Sequence, residues 1–319
     1  MSVISLGQVT VINILASDDM VTVPLQPTLS VVIASHYPIS MTRRCIDAIL
    51  QRAQGVEIIV ARDQSKDGYD SLKSSYPEVT WIDAPTRCPV PELRFIGWQA
   101  SSGEYIAFIE DDCIVSEDWL ETALKHHRRG IAVVGGSLVA DDYDNLVDWA
   151  MFLCEYARFT RAVAQKVKSL PGNNTSYKRS VLSGQQDSFS CEKGIYDVFL
   201  NGRLTQVGVD LFFDADMAVK NINRWSLRNL TLGALHHGRC YAYMRLQKAG
   251  MPKRLLYAAL TPLLPPLLML KLLIAVSEGQ YLSKYMCCLP QTCLFYVLWA
   301  SGEFLGSVAG PADSARYWS

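Results

Sequence analysis

An almost wholly apolar run ends abruptly in three acids at residues 105–112, which read YIAFIEDD. The apolar part has the make-up of a buried strand, and such a strand delivers Glu110, Asp111 and Asp112 together at one edge of a sheet. Carboxylates gathered in this way repel one another unless a divalent cation or a ligand's positive charge sits among them. In open α/β sheets the carboxyl ends of the strands are also where ligands bind. The cluster therefore points to a site for a metal ion and a diphosphate. Helix capping is the competing account, but Ser116 as N-cap, with Glu117 and Asp118 in the first turn, already serves the helix expected from Trp119.

The elements that must position these acids are legible upstream. Short apolar runs at 29–34, 56–61, 79–82, 105–109 and 131–134 are too apolar to face water and are read as strands. Amphipathic stretches at 41–51, 68–74, 92–101 and 119–127 alternate with them and are read as helices. A βαβα rhythm implies a mostly parallel sheet flanked by helices, an α/β fold. After Gly136 the rhythm breaks into an acidic loop (141–145), an aromatic helix (147–159) and a Gly-Asn-Asn turn (172–174). The expected organisation is an N-terminal extension (1–28), a domain at 29–240 with a nucleotide-binding half (29–136) and an acceptor half (137–240), and an apolar region at 241–319.

Composition narrows the class. The chain has 319 residues, half of them hydrophobic, and a net charge of −1. It is long enough for one large α/β domain with an appendage. Near-neutral charge gives no electrostatic footing for nucleic acid. The nine cysteines are scattered without a CxxC pair and are expected to be reduced thiols. The N-terminus has no basic residue before Arg43 and so lacks the layout of a signal peptide, which places the domain on the cytoplasmic side.

The tail is different material. Residues 255–276 are about long enough to cross a bilayer, and a second apolar stretch runs from about 285 to 309. Pro262, Pro265, Pro266 and Lys271 in the first stretch, and the short polar interval 277–284, argue against a spanning hairpin. Arg245, Lys248, Lys253 and Arg254 just upstream suit an anionic leaflet. In-plane membrane association is favoured over spanning and over a buried helix pair.

Further patterns stand in order along the chain. SVVIASHY (30–37) is a first strand ending in a turn. Residues 62–68, RDQSKDG, follow the second strand. Arg94 lies on a helix before Ala100–Asp112, and GNN-x-x-Y-x-R occupies 172–179. Asp197 is followed by Leu200, Arg203 and Gly208. On these motifs the chain from Leu29 to about Gly238 resembles family 2 glycosyltransferases of the GT-A fold, inverting enzymes that use nucleoside-diphosphate sugars to build bacterial polysaccharides and glycolipids.

The resemblance implies roles. Asp112 would carry the metal, Mn or Mg, with Asp111 or Glu110 toward the ribose and donor sugar. Ser35 lies in the nucleotide-contacting turn. Asp63 would accept a hydrogen bond from the nucleobase, and Arg94 would face the base or the phosphates. Asp197 would be the general base, Asn173 and Asn174 would bind acceptor hydroxyls, and His236 and His237 would give a further diphosphate or metal contact. Ordinary alternatives stand beside these: Asp63 and the Asp67-Gly68 pair as turn formers, Arg94 as a solvated helix residue, Asp197 as a helix-start acid, Asn173 and Asn174 as left-handed turn residues, and the histidines as a structural hydrogen-bonding pair.

The chain departs from the family pattern at Arg62, where an acid is usual, at Glu110 for aspartate, and at Ala34 and Tyr37 for proline and asparagine. The acid pair before the base helix is reduced to Tyr196-Asp197, and Arg224-Trp225 lacks the glutamine of processive synthases. The expectation is an inverting, single-addition transferase at the cytoplasmic face of the membrane. It would pass sugar from a nucleotide donor, UDP-sugar favoured, to a glycan or lipid-linked hydroxyl. A sugar-nucleotide nucleotidyltransferase, or a non-catalytic membrane-anchored scaffold, remains the alternative.

Overall fold

The computed structural model describes residues 3–6, 9–12, 28–64, 69–185 and 194–317. The expected Asp67-Gly68 turn lies outside them. A two-stranded antiparallel sheet, β1 (Val3–Leu6) and β2 (Val9–Ile12), stands apart from the main sheet.

The first half follows the βαβ rhythm. β3 (Leu29–Ser35), β4 (Glu57–Asp63), β5 (Thr80–Ala84) and β6 (Tyr105–Glu110) lie side by side in the order β5-β4-β3-β6, all parallel. Every residue of β3 is buried, including Ser30 and Ser35 at the two ends of its apolar run. The connections are α1 (Ile39–Arg52), α2 (Tyr69–Ser75) and α3 (Val90–Ala100), the last packing on β3 and β4. β7 (Cys113–Val115) and α4 (Trp119–Arg128) follow. The helix begins where expected, but its N-cap is Asp118 with no side-chain cap. Ser116 instead turns its hydroxyl to the Asp216 carbonyl, and the exposed Glu117 pairs with Arg52 at 2.9 Å.

The second half is more regular than its sequence suggests. After β8 (Val133–Ala140) and α5 (Leu146–Tyr156), the chain passes through a 3-10 turn at Ala157–Phe159 and β9 (Ala164–Val167). It then enters β10 (Asn174–Lys178), inserted antiparallel between β6 and β8. The Gly-Asn-Asn stretch is thus the entry to a central strand. α6 (Arg179–Ser183), α7 (Asp197–Gln206) and β11 (Leu211–Asn221) complete the domain, with β11 parallel to β8 and antiparallel to β7 and β9. The sheet is mixed rather than mostly parallel, because β10 and β7 run against their neighbours.

The tail divides into two materials. α8 (Leu227–Leu246) runs without interruption through residue 240, the expected domain edge. α12 (Leu289–Ala309) lies along it, so close that a Cβ at Gly302 would sit 2.1 Å from the Leu235 carbonyl oxygen. Arg245 pairs with Glu303 in this seam, and Trp299 Nε1–H donates to Glu303 at 2.9 Å. By contrast α9 (Met251–Leu260), α10 (Leu264–Ser277) and the 3-10 turn that joins them present leucines outward, Leu263 of the turn at 63% exposure and Leu256 of α9 at 57%. α11 (Leu282–Cys287) links them to α12. Residues 251–277 and 289–309 are each long and apolar enough to cross a membrane. The eight cysteines among the described residues are free thiols.

Candidate functional site

The carboxyl ends of β3, β4 and β6 converge as their register dictates, Ala34 standing beside both Ala61 and Glu110. The three acids at the end of β6 meet three different fates.

Asp111 is fully buried and saturated. It accepts from the hydroxyls of Ser35 and Thr42, both at 2.8 Å, and from the backbone N–H of His36 at 3.1 Å and Tyr37 at 3.2 Å. Arg62 Nη1 stands 3.9 Å away and donates to Ser35 Oγ at 2.6 Å and to the Tyr37 carbonyl at 3.2 Å. Asp111 and Ser35 therefore hold the turn after β3 in place, and their polar groups are committed inside the protein. Arg62 is thus the buried cation that stands beside the buried Asp111.

Glu110 turns toward the second half of the domain. Arg94 Nη2 reaches its Oε1 at 2.5 Å, while Nη1 reaches Asp197 Oδ1 at 3.5 Å and the Ile195 carbonyl at 3.5 Å. Arg94 is buried, which disfavours its charge, yet Glu110 and Asp197 outweigh this and raise its pKa. For Glu110, burial drives the pKa up and Arg94 opposes without cancelling it. One guanidinium thus ties a strand end of the first half to the opening residue of α7. Gly172 makes room for it, since a Cβ there would lie 2.7 Å from both Arg94 Nη1 and Asp197 Oδ1. The glycine of the GNN motif is explained by this close approach.

Asp112 is fully buried, and burial, then Glu110 and Asp111, raise its pKa well above the carboxylate range. Its Oδ2 accepts from Asn221 Nδ2 at 2.8 Å, and its backbone carbonyl accepts from Ile222 N–H at 2.8 Å. The segment brought to Asp112 is therefore Asn221–Asn223, at the end of β11. Asn223 Nδ2 is buried and without a partner. A carboxylate in this state, among other carboxylates, fits a divalent cation, although among the described residues no three His, Cys, Asp or Glu side chains are grouped to hold one.

The two histidines expected to give a diphosphate or metal contact have partners within the protein. His236 Nδ1 pairs with Ser314 Oγ at 3.0 Å, and its ring stacks on Tyr317 at 4.0 Å. Burial lowers the His237 pKa to about 4, with the Tyr317 backbone as its hydrogen-bonding partner. Both fasten α8 to the C-terminal turn, the structural pair that the doublet also allowed. Asn174 is likewise absorbed by the core: its Nδ2 donates to the carbonyls of Ser137 (3.0 Å) and Met217 (2.7 Å), and its Oδ1 accepts from Trp119 Nε1 (2.9 Å). Asn173 differs, being 1% exposed with neither side-chain polar atom partnered. Asp63, at the end of β4, accepts the backbone N–H of Arg87 at 2.9 Å, where Arg87 sits at φ 60°. That bond holds a left-handed turn at Arg87 beside the end of β4, while most of the turn after Asp63 lies outside the described residues.

One group was not anticipated. Glu155, near the end of α5, is half-buried, and burial with Glu110 and Asp197 adding to it pushes its pKa up to about 8. Tyr156 and Tyr37 stand in the same field of carboxylates. The only sequence signal was an acid in an otherwise aromatic helix. A carboxyl raised this way stabilises the fold fully below its unfolded pKa, and that contribution is lost as pH climbs through about 8. Glu155→Gln is therefore expected to match wild type in Tm near pH 4 and exceed it near pH 9. Thermal unfolding at the two pH values checks this, and an unchanged difference would refute it.

Comparisons with known proteins bear on this arrangement. Residues 30–184 match the model of the family described as "Glycosyl transferase family 2". A glucosyl-dolichyl phosphate glucuronosyltransferase of Haloferax volcanii is 22% identical over 165 residues, covering 47% of this chain and 52% of that protein. The chain thus spans about half the length of this curated relative. Among solved structures, the mannosyltransferase PcManGT of Pyrobaculum calidifontis, in complex with GDP-Man and Mn2+, is similar with a TM-score of 0.53. It shares 14% identity over 87% of both chains, a likeness of fold.

Proposed function

We propose that this chain, whose residues 30–184 belong to glycosyl transferase family 2, is an inverting glycosyltransferase that moves a sugar from a nucleoside diphosphate to a hydroxyl of a lipid-linked acceptor. The observation that carries the reading is the Arg94 bridge, which sets a donor-side carboxylate and a candidate base against one guanidinium.

Asp112 would hold a divalent cation, Mn or Mg, with the remaining ligands from phosphate oxygens and water. When bound, the cation would neutralise the departing diphosphate. Asp197 opens α7 and would take the proton of the attacking hydroxyl. Arg94 would orient Asp197, and the unpartnered amide of Asn173 would bind an acceptor hydroxyl. Asp63, beside the left-handed Arg87 turn, would border the nucleobase.

The nucleotide is an open choice between uridine and guanosine, since PcManGT was solved with GDP-Man. The lipid-linked acceptor is supported by the Haloferax relative, named for a glucosyl-dolichyl phosphate, and by the outward leucines of α9 and α10. Those helices would lie in the plane of the membrane at its cytoplasmic face, with Lys253 and Arg254 at the near end. α12 is already occupied by α8, which disfavours a spanning hairpin.

The test is incubation of the full chain in nanodiscs with UDP- and GDP-sugars, Mn2+ and polyprenyl-phosphate glycans. Transfer with the anomeric configuration opposite to the donor's is expected. Retained configuration would contradict inversion, and pyrophosphate release from a nucleoside triphosphate and sugar phosphate would support the nucleotidyltransferase instead.

A further inference from the structure

The lipid-linked acceptor proposed above leaves open what recognises its head. Directly after Tyr156 the chain turns through Ala157–Phe159, and this turn packs against the apolar helix α10. Arg158, at its centre, is exposed and holds its guanidinium 4.6 Å from the centroid of the Phe159 ring. Its neighbour Arg161 pairs with Glu278 at the end of α10 at 2.6 Å, whereas among the described residues no carboxylate forms an ion pair with Arg158.

Asp197, Tyr241 and Tyr296 stand around Arg158. Tyr241 faces Phe199 of α7 at 5.7 Å and Trp299 of α12 at 5.9 Å between ring centroids. Aromatic rings therefore lead from the helix that opens with Asp197 to α12, and Arg158, on the turn against α10, lies within electrostatic reach of Tyr241 in that strip.

This cation matters because the other arginine at Asp197, Arg94, is already engaged by Glu110 and Asp197. A phosphate brought beside Asp197 therefore needs another positive group to receive it. A planar guanidinium that lies on an aromatic face is pre-organised to take two phosphate oxygens at once.

We propose that Arg158 binds the phosphate of a lipid-phosphate-linked acceptor, whose hydrocarbon chain lies along α10 while its sugar reaches Asp197. The inference rests on the glycosyltransferase reading and adds the substrate class.

The test titrates the full chain in detergent with farnesyl phosphate and with farnesol, read by tryptophan fluorescence, in wild type, Arg158→Gln and Arg158→Lys. Wild type is expected to prefer the phosphate by roughly 10- to 100-fold, the range of a charge-assisted hydrogen bond. The preference should vanish in Arg158→Gln and be partly kept in Arg158→Lys. Nucleotide titration of the same variants with Mn2+ reports on the donor side. No preference in wild type, or an undiminished one in Arg158→Gln, would overturn the proposal. So would equal competition by inorganic phosphate, or loss of nucleotide binding in place of farnesyl phosphate binding. Wild type that binds farnesyl phosphate through Arg158 but binds no nucleotide would instead overturn the glycosyltransferase reading alone.

Discussion

Asp197→Asn is expected to lower kcat by roughly 10²- to 10⁴-fold, the usual contribution of a positioned general base, while KM for the donor changes little. Asparagine keeps the shape of the side chain and its approach to Arg94 Nη1, 3.5 Å away in the wild type, but cannot accept the acceptor's proton. Steady-state kinetics with both substrates varied would show the split between kcat and KM. A rate within a few-fold of wild type would move the base elsewhere, first to Glu155, the other carboxyl in the field of Glu110 and Asp197.

Arg94→Met is expected to cost about 3–5 kcal/mol of stability, the range found when one partner of a buried ion pair is removed. The cost arises because Glu110 and Asp197 would then face each other without a cation, in a place where Arg94 is 4% exposed. Arg94→Lys restores a charge without the fork that reaches both acids, so it should recover only part of the loss. Denaturant unfolding of Arg94→Met, Glu110→Gln and the double variant would measure the coupling. The double variant should be more stable than Arg94→Met, and strict additivity would show that the bridge is not a unit.

Most of the first half of the fold was legible because β3, β4 and β6 are buried on both faces and leave apolar runs, although β5 exposes Thr80 and Asp83; β3 and β6 lie within a residue of their expected bounds. β10 was not, because its sequence, NTSYK, is polar. Its stability comes from hydrogen bonding between β6 and β8, and from side-chain partners such as Trp119 for Asn174, which local composition does not reveal. The tail was read as one apolar material. Glycines at 238, 302 and 306 let α12 sit directly on α8, so that half of it joins the protein's own packing.

The same distinction holds in the candidate site. The acid cluster after β6 could be seen in the sequence, but the division of labour within it could not, since that depends on which cation each acid meets. Asp111 meets Arg62, Glu110 meets Arg94, and the Asp112 side chain meets, among the described residues, hydrogen-bond donors from Asn221 and Cys113. His236 and His237 looked like ligands by position, yet Ser314 and Tyr317 claim them. Asn221 and Ile222 reach Asp112 because β11 ends there, and a strand end more than a hundred residues away leaves no motif to find.

Of the three acids, Asp112 is the one for which the fold supplies no positive partner among the described residues, and the account turns on it. Calorimetric titration of the full chain with UDP and with GDP, with and without Mn2+, beside Asp112→Ala, tests this most directly. The account predicts that at least one nucleotide binds at a single site, that binding requires the metal, and that Asp112→Ala abolishes the metal dependence. Binding that is indifferent to Mn2+ and to the substitution, or no binding of either nucleotide by folded wild-type protein, would contradict it.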